Sequence, residues 1–203
     1  MMTIFLQGLG TGAGLIIAIG AQNAFVLSQG VRKQYVWIVA MICAVCDGVL
    51  IFSGAAGVGK MVATNSILKE ITAWGGALFL FYYGIRSLQS AIAGGALERS
   101  VERGKSDTIT KVVGATLAVT LLNPHVYLDT LVLVGSISGQ FGEQGRYVFA
   151  LGASTASFLW FFSLGGGGVI LAPVFESEKA WRLLDITVWL VMWGIAVQLL
   201  LMD

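Results

Sequence analysis

The chain has 203 residues, 57% of them hydrophobic and only 11% charged, and its mean hydropathy is +0.84. A soluble domain is about 45–50% apolar and about 25% charged, so this composition argues against a cytosolic enzyme and excludes a disordered chain. A net charge of +1 gives no field to attract nucleic acid, and 2 Cys and 2 Pro leave no disulfide framework and few built-in kinks.

The expected fold class is an all-α polytopic membrane protein. A membrane helix needs about 20 mostly apolar residues. Six such runs follow in order: Thr3–Leu27, Val36–Gly59, Ile71–Ile92, Val112–Ile137, Tyr147–Ala172 and Trp181–Met202. The longest connection, 93–111, is a mixed-charge linker between a first unit (1–92) and a second (112–203). The N-terminus has no basic segment before its long apolar stretch, so a cleaved signal peptide is not expected. Three basic residues (Lys60, Lys69, Arg146) fall on the side of the termini and nine, Lys105 among them, on the other. The basic side is expected to be cytoplasmic, with both termini outside.

The first span carries G-x-x-x-G pairs at Gly8/Gly12 and Gly10/Gly14, which read as helix-packing faces. It ends in Gly20-Ala21-Gln22-Asn23-Ala24-Phe25, where Gln22 and Asn23 offer the donors and acceptors that a zwitterion needs, or serve as glue between helices. The second span holds Cys43 and Cys46, which read as core residues, and Asp47 near its middle. A carboxylate at mid-membrane costs about 2.5–3.5 kcal/mol on insertion scales. It either meets a cation or proton, or is a neutralised acid holding helices together.

The fourth span is the most informative. Thr116, Thr120, Asn123, Tyr127 and Thr130 form one polar stripe on a continuous helix, with His125 and Asp129 turned to the opposite side. His125 and Asp129, four apart, could share a proton. Pro124 removes an N–H and frees the carbonyl of Thr120, which predicts a helix break there that rotates the two polar faces relative to each other, so the simple wheel does not hold past Pro124. In the fifth span Gly165-Gly166-Gly167-Gly168 predicts a weak, flexible or broken segment. The single His leaves no metal cluster, and no Ser/His or paired-acid constellation has catalytic spacing, so neither a cofactor nor an enzyme activity is expected.

Shifted by 110 residues, Cys46–Ser53 overlies Ala156–Ser163 and Tyr83-Gly84-Ile85 overlies Trp193-Gly194-Ile195. A three-span unit repeated in one chain is inverted in the membrane, the architecture of alternating-access transporters.

Gly20-Ala21-Gln22-Asn23-Ala24-Phe25-Val26-Leu27, Cys46-Asp47-Gly48, Asn123-Pro124-His125-Val126-Tyr127-Leu128-Asp129-Thr130 and Ala156–Phe162 together resemble the LysE family of amino-acid exporters, nearest its lysine/arginine branch. The resemblance implies a secondary transporter in a bacterial inner membrane that moves L-lysine and L-arginine out of the cytoplasm; it allows a homodimer and involves no nucleic acid. It points to Gln22, Asn23, Asp47, Asn123, Pro124 and Asp129 as site residues. The expected roles are substrate binding for Asp47, Gln22, Asn23, Asn123 and Tyr127, proton coupling for Asp129 and His125, and a helix break at Pro124. The competing readings are an exporter of another solute in the same family and an ion channel.

Overall fold

The computed structural model describes residues 1–17, 20–58, 66–92, 108–123, 126–173 and 177–201, with backbone alone at 66–73, 76, 178, 181 and 199. Pro124, His125, Lys60, Asp203 and the part of the linker that holds Lys105 lie outside these residues. Every regular element among the described residues is helical. They are α1 (Met2–Ile16), α2 (Ala21–Val31), α3 (Val36–Ala55), α4 (Ser66–Ile92), α5 (Ile109–Leu121), α6 (a π-helical Tyr127–Leu133 followed by Val134–Ser138), a short 3-10 turn (Gly139–Phe141), α7 (Gly142–Leu171) and α8 (Glu178–Leu200).

Two helical runs among the described residues are long and apolar enough to cross a membrane, Val36–Ala55 and Tyr127–Leu171, and a third if α1 and α2 form one bent span. At 1.5 Å per residue α3 is about 30 Å long, the thickness of the hydrocarbon core. The second run is 45 residues, or about 68 Å at that rise. It is divided by Gly142, whose φ of +71° suits a residue without a Cβ.

The first span is not the single helix expected over Thr3–Leu27. Gly20 is extended (φ −142°, ψ 171°), and α1 and α2 meet at 82°. The fourth span breaks where Pro124 predicts. α5 stops at Leu121, Leu122 leaves helical geometry (φ −89°, ψ 2°), and Val126 N–H reaches Asn123 O at 3.1 Å. The chain resumes with wider turns, Val134 N–H bonding Asp129 O five residues back. By contrast, the expected weakness at Gly165–Gly168 is absent, since α7 runs unbroken through it. These glycines permit close approach instead. A Cβ at Gly30 of α2 would lie 2.6 Å from Gly165 O, and one at Gly168 would lie 2.9 Å from Gly30 Cα. The same kind of contact joins α6 to α3, where a Cβ at Gly135 would lie 2.8 Å from Gly54.

Gly8 and Gly12 likewise seat α1 on the backbone of Phe149 and Ala153, whereas Gly10 and Gly14 face open space. Lipid tails are as apolar as leucine, so helices in a membrane associate through packing of this kind rather than through hydrophobic burial. α4 pairs with α8, with the Phe81 and Trp193 rings edge-on at 5.2 Å and Trp193 Nε1 donating to Phe81 O. The large side chains turned outward are apolar: Leu78 is 67% exposed, Leu183 65% and Val49 61%. That is the surface a helix bundle presents to lipid.

Candidate substrate site

A helix break leaves carbonyls without their intrahelical partners. At the first break Asn23 answers this need. Its Nδ2 donates to Ile16 O (2.9 Å), while its Oδ1 accepts from Trp160 Nε1 of α7 (3.1 Å). The side chain therefore bridges the end of α1, the start of α2 and α7. At the second break the Tyr127 hydroxyl donates to Leu121 O (2.7 Å), so a side chain after the break again covers a carbonyl before it.

The restarting helices differ. α2 begins with Ala24 N–H bonding Gly20 O at 3.0 Å, so the N–H groups of Ala21, Gln22 and Asn23 precede the first intrahelical bond. No side chain caps this end, and its first turn has no acidic residue. α6 carries Asp129 in its first turn, and Thr130 Oγ1 bonds back to Val126 O at 2.5 Å. An acid in that position complements the positive end of a helix dipole.

Asp47 of α3 is 2% exposed. Its Oδ2 accepts from Ser157 Oγ of α7 at 2.9 Å, and its Oδ1 is buried with no hydrogen-bond partner among the described residues. Gln22 is 8% exposed, and its Nε2 is buried in the same unpartnered state. An unpaired buried polar atom costs about 1–3 kcal/mol.

These groups converge on one cavity of about 210 Å³, sized for a single small solute. Gln22, Asn23, Asp47, Asn123, Asp129 and Thr130 line it. The two breaks thus face the same space. The described lining has two carboxylates and no Lys, Arg or His. Asp129 shares the cavity with Asn123 and Thr130, unlike the arrangement on a continuous helix: the break and the π-helical turns from Tyr127 change the relation of the two polar faces. The rest of the stripe is used in packing. Thr116 and Thr120 are fully buried, Thr116 bonding Val112 O at 2.7 Å and Thr120 facing Cys43 Sγ at 3.8 Å.

Several contributors were missed in the sequence. α8 adds Ile195 and Gln198 to the lining, and only the isolated polarity of Gln198 could have signalled this. Ser157 and Trp160 act through Asp47 and Asn23. A fully buried Asp185 of α8 pairs with Arg32 just beyond α2 at 3.2 Å, pinning that end of the broken helix. Among the described residues no group of three or more His, Cys, Asp or Glu could hold a metal ion.

Broken apolar helices that enclose an acidic, polar cavity define a membrane transporter rather than a soluble receptor. Residues 13–203 match the family model described as LysE type translocator, and the chain belongs to the LysE family. It is similar to the Arginine exporter protein ArgO of Enterobacter sp. (strain 638), 44% identical over 98% of this chain and 94% of that one. The ArgO of Pectobacterium carotovorum subsp. carotovorum (strain PC1) is 43% identical over 98% and 97%, and that of Klebsiella pneumoniae (strain 342) 44% over 98% and 94%. No solved structure matches the chain.

Proposed function

We propose that the protein exports basic L-amino acids, arginine and with it lysine, across a bacterial inner membrane by alternating access. The observation that carries this reading is the pair of carboxylates, Asp47 and Asp129, in a cavity whose described lining has no basic side chain. A guanidinium or ammonium group entering there is attracted by both carboxylates, and a neutral solute is not. The family match and the arginine exporters among the relatives support the same substrate class.

Asp47 Oδ1, with Oδ2 held by Ser157, is assigned to the substrate cation. Asp129 is assigned to alternate between substrate and proton, with His125, four residues earlier in the sequence, as its proton-holding neighbour. Asn123 adds polar contacts, while Asn23 and Tyr127 hold the two breaks in shape.

Six spans in two inverted units fit the arrangement. α1 and α2 correspond to α5 and α6, α3 to α7, and α4 to α8. The offset of 110 read in the sequence is also the separation of Asp47 and Ser157, which bond directly. Equivalent residues in contact lie beside a two-fold axis. The Gly30 contact on α7 then has its counterpart in the Gly135 contact on α3. Rocking of one unit against the other would open the cavity to each side in turn. Cysteine labelling at residues 105 and 203 with an impermeant reagent reads the orientation.

Counterflow in proteoliposomes that hold only this protein tests the function. Internal arginine or lysine is expected to drive uptake of external labelled arginine, and internal alanine or glutamate is not. Equal stimulation by neutral amino acids would overturn the substrate class, and unsaturable flux would replace the transporter with a channel.

A further inference from the structure

The two helix restarts that face the cavity are electrostatically unlike, and only one suits an anion. At α6 the first turn already carries Asp129. At α2 the first turn carries no acid, no side chain caps the end, and the N–H groups of Ala21, Gln22 and Asn23 stand before the first intrahelical bond. Such an end attracts negative charge through the helix dipole. A helix end alone would say little. Here a second group points the same way: Gln22 lines the cavity, is more than nine-tenths buried, and keeps its Nε2 donor without a partner among the described residues. Gly20, at the mouth of this end, also lines the cavity, and its lack of a side chain lets a ligand approach the backbone.

We propose that this end of α2 is the α-carboxylate subsite of the exporter. The substrate carboxylate accepts from the backbone N–H groups that open α2 and from Gln22 Nε2, and its cationic groups face Asp47 and Asp129. The inference rests on the export reading and adds to it the requirement that the substrate be an amino acid rather than any organic cation. A cavity with two acids alone would bind a polyamine or a decarboxylated amino acid at least as well as arginine. The subsite rejects these because, without a carboxylate, Gln22 Nε2 stays buried and unpaired. The bridge from Asn23 to Ile16 O and Trp160 fixes the start of α2 against α1 and α7.

The test compares arginine with agmatine, which keeps the guanidinium and lacks the carboxylate, as competitors of labelled arginine in proteoliposomes of the full chain. In the wild type, agmatine is expected to compete at least tenfold more weakly than arginine. Gln22→Leu should weaken arginine about tenfold and leave agmatine unchanged, so that the discrimination collapses. Gln22→Glu, which sets a like charge against the carboxylate, should weaken arginine further and strengthen agmatine. Equal competition by arginine and agmatine in the wild type would overturn the subsite, whatever the variants do. Equal losses for both ligands in Gln22→Leu would do the same, since that pattern marks a residue that merely shapes the cavity. If the wild type exchanges no arginine, the export reading fails and takes the subsite with it. If it exchanges arginine but cannot tell it from agmatine, the subsite alone fails.

Discussion

The two helix breaks solve one structural problem in the same way and then diverge in chemistry. Each interrupts an apolar helix, and each covers a stranded carbonyl with a side chain from beyond the break: Asn23 to Ile16 O, Tyr127 to Leu121 O. The first break, however, is tied to α7 through Trp160 and restarts with neither a side-chain cap nor an acidic residue in its first turn. The second restarts in π-helical turns with Asp129 in place. One break is an electropositive end and the other an electronegative one, both facing the same cavity. The proposed substrate, a zwitterion with an additional cation, would find a counterpart for each of its charges between such ends.

The comparison can be broken at several points. The largest effect is expected from Asp129→Asn, which removes the charge of the second break. Arginine export should fall by about a hundredfold or more and lose its pH dependence, read from counterflow rates across a pH series. A variant with full activity and an unchanged pH profile would strip Asp129 of its role. Next come the close approaches. Gly30→Leu and Gly135→Leu each force a side chain into backbone contact, at α7 and α3 respectively, and overpacking typically costs about 1–3 kcal/mol. Detergent melting should show similar losses for both, as two equivalent interfaces require. A large loss in one and none in the other would speak against the inverted repeat.

Smaller effects separate the two clips. Asn23→Ala removes a donor and an acceptor at once and leaves Ile16 O and Trp160 Nε1 unpaired, a cost of about 1–3 kcal/mol for each buried group. It should lower the melting temperature and slow arginine exchange together. Tyr127→Phe removes a single bond, worth about 1 kcal/mol, and should lower the melting temperature slightly while leaving arginine affinity unchanged. Loss of arginine affinity in Tyr127→Phe would return that hydroxyl to the substrate site.

Much of the site was legible in the sequence because polar residues in apolar spans are conspicuous. Gln22, Asn23, Asp47, Asn123 and Asp129 stood out as exceptions to their surroundings, and all five line the cavity. The starts of α3 and α8 fell within three residues of the expected Val36 and Trp181, whereas α4 and α7 begin five residues before the expected Ile71 and Tyr147, because a helix runs on past the apolar stretch that marks it. What escaped was whatever depends on a break or on distant pairing. A helical wheel assumes a constant turn, so beyond the break that Pro124 predicts it gives no side for Asp129, which lines the cavity with Asn123 and Thr130. The first break had no proline to announce it. Gly165–Gly168 looked weak by propensity, yet the glycines keep their helix because α2 packs directly on them. Asp185 and Arg32 lie 153 residues apart, and nothing local to either signals the pair.

The most direct measurement is the affinity of labelled arginine for purified wild type and for Asp47→Asn at equilibrium, beside the melting temperature of each. If the free Oδ1 of Asp47 takes the substrate cation, the variant should bind arginine at least tenfold more weakly while melting no lower than the wild type, since the substitution removes a costly buried charge and keeps an acceptor for Ser157. Unchanged arginine affinity in a well-folded Asp47→Asn protein would contradict the acidic-cavity account of substrate recognition.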